Sequence, residues 1–344
     1  MDTAATDVAL DAAPTLKKKP AEALARVRAP RRLGGLVERY ALVGALVGVV
    51  VLFSLLRPLT YPTPGNLQNV LGSQAVLLIL AVGLIVPLTA GEFDLSIAST
   101  MSLSAMTVAV LNVQKDWSLL SAIGVALVAA LVVGAVNAFC VVVMRIDSFI
   151  VTLGSGTIVL GAIQWMSDST SVTGVDSALV DATVATRVFG LPLQFFYALA
   201  LTLVVAVVFQ FTPIGRRLLF VGRGRQVAHL SGLRVDRLRT GAFLTSALVA
   251  AVAGVIYAGM LGGADPSSGQ SFMLPAFAAA FLGATAIVPG RFNAIGTLVA
   301  VYFLVAGVVG LQMLGVPNFV QQLFYGGALI VAVALSALVR RRAS

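Results

Sequence analysis

The sequence predicts an all-α polytopic membrane protein: about ten transmembrane helices in two five-helix halves of inverted topology, with N- and C-termini cytoplasmic. Three observations lead there. The 344 residues are 59% hydrophobic and only 11% charged, whereas soluble domains carry about 25% charged residues. The apolar residues come in runs long enough for helices to cross a bilayer, without the alternation of barrel strands. The basic residues gather at alternate ends of those runs, the bias that sets orientation in a membrane.

Residues 1–36 read as a disordered basic cytoplasmic tail. Asp2, Asp7 and Asp11 stand where a signal peptide would be positive, and Lys17–Lys19, Arg26, Arg28, Arg31 and Arg32 follow. The net charge of +9 would point to nucleic acid in a soluble protein. Here it is explained by cytoplasmic loop ends, so the expected surroundings are membrane lipid and not nucleic acid. Ten apolar runs form the transmembrane domain, 37–339: 37–56, 70–89, 95–113, 119–144, 149–166, 195–211, 241–261, 272–287, 294–314 and 319–339. The eighth is short for a full span. Residues 340–344 are a second cytoplasmic tail. With this count, every basic residue of the 23 except Arg57, Lys115 and Arg187 lies on the cytoplasmic side. A miscounted helix would invert everything downstream and destroy that bias. Trp117 and Trp165 fall near the outer interface, where aromatic rings are favoured. The outward segment 167–192 has the length of a short surface helix or a plain linker.

The chain divides at a hydrophilic loop, 212–240, which holds seven arginines and His229, the only histidine. Within it, 226–231 reads as a short helix between Gly224 and Gly232, with Val227, Leu230 and Leu233 as an apolar stripe. Such a helix is suited to docking. The residues taken as the docking set are Arg225, Gln226, Val227, His229, Leu230, Ser231, Gly232 and Leu233.

Two interruptions sit at matching places, after the second run of each half: 89–100 and 259–272. In carriers built from inverted repeats, matched breaks point to the transport pathway. Candidate pathway residues are therefore Glu92, Asp94, Ser96 and Asn137 in the first half, and Asp265, Ser267, Ser268 and Gln270 in the second. A carboxylate at bilayer depth costs about 2.5–3.5 kcal/mol, so it normally faces a cavity or a partner. Equally, Asp94 or Ser96 has the chemistry of a helix cap, and Asp265–Ser268 that of a turn.

Several chemistries are excluded. Gly222-Arg223-Gly224-Arg225 has the glycines of a phosphate loop without its lysine and hydroxyl, so ATP hydrolysis by this chain is not expected. One cysteine, Cys140, and one histidine cannot make a disulfide framework or a catalytic metal site. No cofactor is expected on this chain. The span centres are nearly free of ionisable groups, against a proton-coupled carrier.

Gly91-Glu92-Phe93-Asp94-Leu95-Ser96-Ile97-Ala98-Ser99 resembles the Gly-x-Ile/Phe-Asp-Leu-Ser-Val signature of permease subunits from sugar ABC importers of the ribose, xylose and arabinose type. Gly224 to Leu233 is similar to the cytoplasmic segment of that family, with Arg225 and His229 departing from it. Gly283-Ala284-Thr285 and Pro289-Gly290-Arg291-Phe292 resemble its glycine-rich stretch. The resemblance implies that the short central helix is a coupling helix seated on a cytoplasmic ABC ATPase, which would hold ATP and Mg. It also implies an extracytoplasmic sugar-binding protein and a second, identical permease chain. The cargo expected is a monosaccharide of pentose type. The alternatives are branched-chain amino acids, nucleosides or a sugar-derived signal on the same architecture, or an ion-coupled secondary sugar carrier.

Overall fold

The computed structural model describes residues 32–343; the basic tail through residue 31 lies outside the described residues. Fourteen α-helices among them form a bundle. In chain order they are α1 (Arg32–Leu56), α2 (Pro64–Ser73), α3 (Ala75–Thr89), α4 (Ile97–Ala109), α5 (Leu119–Ala138), α6 (Ser148–Met166), α7 (Ser177–Val180), α8 (Leu193–Phe211), α9 (Pro213–Arg223), α10 (Arg225–Leu230), α11 (Val235–Leu261), α12 (Gln270–Gly283), α13 (Ala294–Met313) and α14 (Phe319–Ala343). Short π-turns extend α4 to Gln114 and α5 to Val143. Helix α1 starts inside the stretch read as tail, and α14 runs on through most of the C-terminal one.

Seven of these helices are long and apolar enough to cross a membrane, or eight if the pair α2–α3, bent by 41° at Gln74, is one span. α12 and α14 supply two shorter apolar segments. Each of the ten apolar runs thus falls on a helix, but not every helix has spanning length. Helix α12 shows why. Its 14 residues rise about 21 Å at 1.5 Å each, short of the ~30 Å hydrocarbon core.

Packing sets which helices are central. All fifteen residues of α3 are buried, with α11, α12, α8 and α13 around it. Small residues permit close approach: a Cβ on Gly254 of α11 would strike the Met101 carbonyl and Ala105 N of α4. The outer helices are greasy on the outside. Leu55, Leu120, Ile158, Trp165 and Ile330 are all more than two-thirds exposed, an apolar surface suited to contact with lipid.

The segment 167–192 is neither a plain linker nor one surface helix. Strand β1 (Val172–Thr173) pairs antiparallel with β4 (Gly263–Ala264), Val172 opposite Ala264. A second small hairpin joins β2 (Arg187–Val188) to β3 (Leu191–Pro192). The long segment therefore folds over the second break and is stitched to it.

Candidate functional site

The first break is built by a turn at the end of α3. Gly91 has φ +78°, open to glycine at no steric cost; residues 92–94 follow without regular structure, and the chain turns at Leu95 and Ser96 into α4. Three backbone donors in this stretch find side chains, while Glu92 N donates to the Pro87 carbonyl at 3.0 Å. Phe93 N donates to Ser148 Oγ at 3.1 Å, and Leu95 N to Thr152 Oγ1 at 3.0 Å. Ser96 N donates to Asp94 Oδ1 at 3.1 Å, the Asx-type bond expected of a capping residue.

Four predicted residues meet here. Glu92, Asp94, Ser96 and Asn137 are each no more than 2% exposed. Ser96 Oγ donates to Asp94 Oδ1 at 2.6 Å and accepts from Asn137 Nδ2 at 2.8 Å. Ser246 Oγ of α11 donates to Asp94 Oδ2 at 2.6 Å. One chain of hydrogen bonds therefore ties the break to α5 and α11. Asn137 Oδ1 is buried without a partner.

Glu92 lies at the foot of this chain and has a different environment. Its Oε1 receives Arg225 Nη2 at 2.6 Å and Arg239 Nε at 2.5 Å. Arg225 also donates to the Gly91 carbonyl at 3.1 Å. The carboxylate predicted at the pathway is thus held by two arginines of the central segment. A cleft of about 490 Å³ opens beside it, with Arg145, Asp147 and Asp236 on its walls.

The central segment is more ordered than its composition foretold. Thr212 caps α9, Pro213 occupies its first turn, and Leu218 and Val221 are buried against the end of α3 and its neighbours. Gly222 is required for that contact, since a Cβ there would strike the Thr89 carbonyl. Helix α10 stands on Ala228, which is buried with Val221 and Val235. Val227 and Leu230 point outward, 58% and 82% exposed. Leu233 is not part of their stripe. It lies past the end of α10 and packs inward against that same cluster, because the chain turns at Gly232, φ +78°. Arg225, Gln226, His229, Ser231 and Gly232 are exposed beside Val227 and Leu230.

The second break lies at the other end of the bundle. Gly262 closes α11 in the left-handed region. Asp265 Oδ1 accepts from Ser267 N and Oγ, and its Oδ2 from Ser171 Oγ at 2.7 Å. These hydroxyl bonds, Ser267 first, hold its carboxyl below the usual carboxylate range. Ser267 and Gln270 are exposed and Ser268 half-buried. The two predicted sets are not brought into one cluster. They approach only through Gly269, where a Cβ would strike the Ala98 carbonyl and Ser102 Oγ of α4. Ser102 Oγ is itself buried and unpaired.

Sequence reasoning missed Arg239 and Ser246. Both belong to one buried face of α11 with Val235, Ala242 and Phe243, spaced i, i+4, i+7, i+8, i+11. That periodicity, extended back through the charged start of the helix, was the available signal.

A helical bundle with an apolar outer face, polar breaks at its two ends and a short exposed helix has the architecture of a multi-pass membrane protein. Residues 66–333 match the family described as branched-chain amino acid transport system / permease component, and the chain belongs to that family. It is 25% identical to the xylose transport system permease protein XylH of Escherichia coli (strain K12), over 95% of this chain and 99% of that one. It is 28% identical to the ribose import permease protein RbsC of Bacillus subtilis (strain 168), over 83% and 89%. Against the autoinducer 2 import system permease protein LsrD of Photorhabdus luminescens the identity is 29%, over 74% and 78%. No solved structure matches the chain. The chain is a transporter permease subunit of the cytoplasmic membrane and not an enzyme; ATP hydrolysis belongs to a separate ATPase.

Proposed function

We propose that this chain is the transmembrane subunit of an ATP-driven, binding-protein-dependent importer that moves a monosaccharide of pentose or related type by alternating access. The observation that carries the reading is α10. Its apolar side chains Val227 and Leu230 are exposed while its first residue, Arg225, grips the foot of the first break. A short helix with two exposed apolar anchors is a helix-in-groove ligand, and the groove belongs to the ATPase, which holds ATP and Mg. The full-length likeness to xylose and ribose permeases supports a sugar over the amino acids of the family description.

Ten spans in inverted halves, with both termini cytoplasmic, are part of the same reading. Two features support it. Helix α4 packs on α5 and α6 as α12 packs on α13 and α14, an offset of five apolar runs. Contacts also sort by end: Ile287 N donates to the Arg39 carbonyl near α10's end of the bundle, while Asp176 N donates to Asn112 Oδ1 near the second break. Asp265, Ser267, Ser268 and Gln270 then line the outer mouth, which receives sugar from a binding protein. Asp94, Ser96 and Asn137 line the inner gate. Two identical permease chains complete the pathway.

Sugar uptake by the chain reconstituted with its ATPase and binding protein tests this, using labelled D-xylose, D-ribose and D-allose. Uptake that needs ATP and falls at least about tenfold in Leu230→Asp, the scale of a lost interface anchor, is expected. Uptake driven by a proton gradient without ATP refutes the reading.

A further inference from the structure

Glu92 is the one carboxylate among the described residues that is buried and held by two arginines from sequence-distant elements. Arg225 opens α10, and Arg239 lies one turn into α11, 8% exposed. Two residues beyond Glu92, Asp94 begins the hydrogen-bonded chain through Ser96, Asn137 and Ser246. The backbone between them is pinned at Phe93 N by Ser148, so the stretch 92–96 has little slack. A movement of α10 that carries Arg225 must pull on Glu92, and through it on Asp94.

We propose that Glu92 is a positioning residue, a clamp that makes α10 and the first break move as one body. This rests on the coupling role given above to α10, and it reassigns Glu92 from solute contact to force transmission. Arg225 and Arg239 converge on Glu92 Oε1 from two different elements, and charge-assisted bonds of this kind are stronger and more directional than neutral ones. The cleft of about 490 Å³ beside it leaves room for the arginines to shift without unpacking the helices. Transmission through a chain of paired side chains requires that both ends bias one element; the element here is the stretch 92–96.

The test measures sugar taken up per ATP hydrolysed in the reconstituted complex. For Glu92→Gln and Arg225→Ala the ratio is expected to drop about five- to tenfold, within the range of mutations that alter coupling. The double variant should be no worse than either single. Arg225→Lys should restore much of the ratio. A second arm needs no cargo. In a Cys140→Ala background, the rate of maleimide labelling at Phe93→Cys is compared before and after trapping the ATPase with ADP and vanadate. The trapped state should change that rate several-fold, and Glu92→Gln should abolish the change. The idea is overturned if Glu92→Gln keeps the uptake ratio and raises only the sugar KM, or if labelling responds equally with and without the clamp. Failure of the unmodified complex to take up sugar with ATP would instead count against the importer reading, leaving the labelling arm to decide the clamp.

Discussion

Replacing Gly222 by alanine adds one methyl group at the place where α9 crosses the end of α3. The new Cβ would lie 3.0 Å from the Thr89 carbonyl carbon and 3.2 Å from that of Ala90, and closer still to the Thr89 oxygen. Carbon atoms in contact prefer about 3.5–4.0 Å. The obstruction is backbone, and Thr89 is further held by its Oγ1 bond to the Ile85 carbonyl at 2.6 Å, so α3 cannot yield. Helix α9 must withdraw by on the order of 1 Å, taking buried Leu218 and Val221 with it. Overpacking of this kind costs typically ~1–3 kcal/mol, and the rigid partner argues for about 2. Gly224, two residues on, is the internal control: its added Cβ would meet Val227 at 3.8 Å, ordinary contact. Gly224→Ala should stay within about 0.5 kcal/mol of the parent. Unfolding in detergent mixed micelles, followed by circular dichroism, measures both. A parental midpoint for Gly222→Ala, or equal loss for the two variants, would refute the packing argument.

Ser246→Ala removes the α11 hydroxyl from Asp94 Oδ2 and should destabilise by about 1–2 kcal/mol, because a buried acceptor loses its donor; a loss near the ~0.6 kcal/mol of an average interhelical bond, read in the same unfolding assay, would show that Asp94 re-pairs. Ser171→Ala probes the outer stitch. The Asp265 carboxyl is held below its usual range by Ser267 and then Ser171, so its contribution is present above the unfolded value of about 3.9 and fades as pH falls through the lower folded value. The parent should exceed Ser171→Ala in thermal midpoint at pH 7 by a small margin, since the group is largely solvated, and the two should converge once pH falls below the lowered folded value. A margin unchanged by acid would assign the effect to packing.

Much of this architecture was readable from the chain. The apolar runs gave the helices, because a span must satisfy its own backbone and be greasy over a fixed length. The two breaks were readable from Gly, Ser and Asp in matching places, and three of the eight pathway candidates, Asp94, Ser96 and Asn137, do gather in one bonded cluster at the first break, with Glu92 buried beside them on its arginines. The second set sits apart, tied to Ser171. Helix α9 is not evident from composition, although Thr212-Pro213 is a cap followed by a first-turn proline; its five charged or glycine positions mask a buried face of Leu218 and Val221. Arg239 lies in the charged stretch before the apolar run, which is why its place inside α11 is not evident from hydropathy. A buried arginine is compatible with a helix when a carboxylate waits for it, and that carboxylate is far away in sequence.

The sequence alone determined where the chain is apolar, how long each run is, and which ends carry arginine. Those are local properties, and hydrocarbon selects on them one helix at a time. Only the tertiary structure decided that Glu92 belongs to Arg225 and Arg239, 133 and 147 residues away, and that Asp94 belongs to Ser246. No periodicity encodes such a choice: a buried charge takes whichever partner the packing of α3, α10 and α11 brings within hydrogen-bond reach, since leaving it alone there costs several kcal/mol.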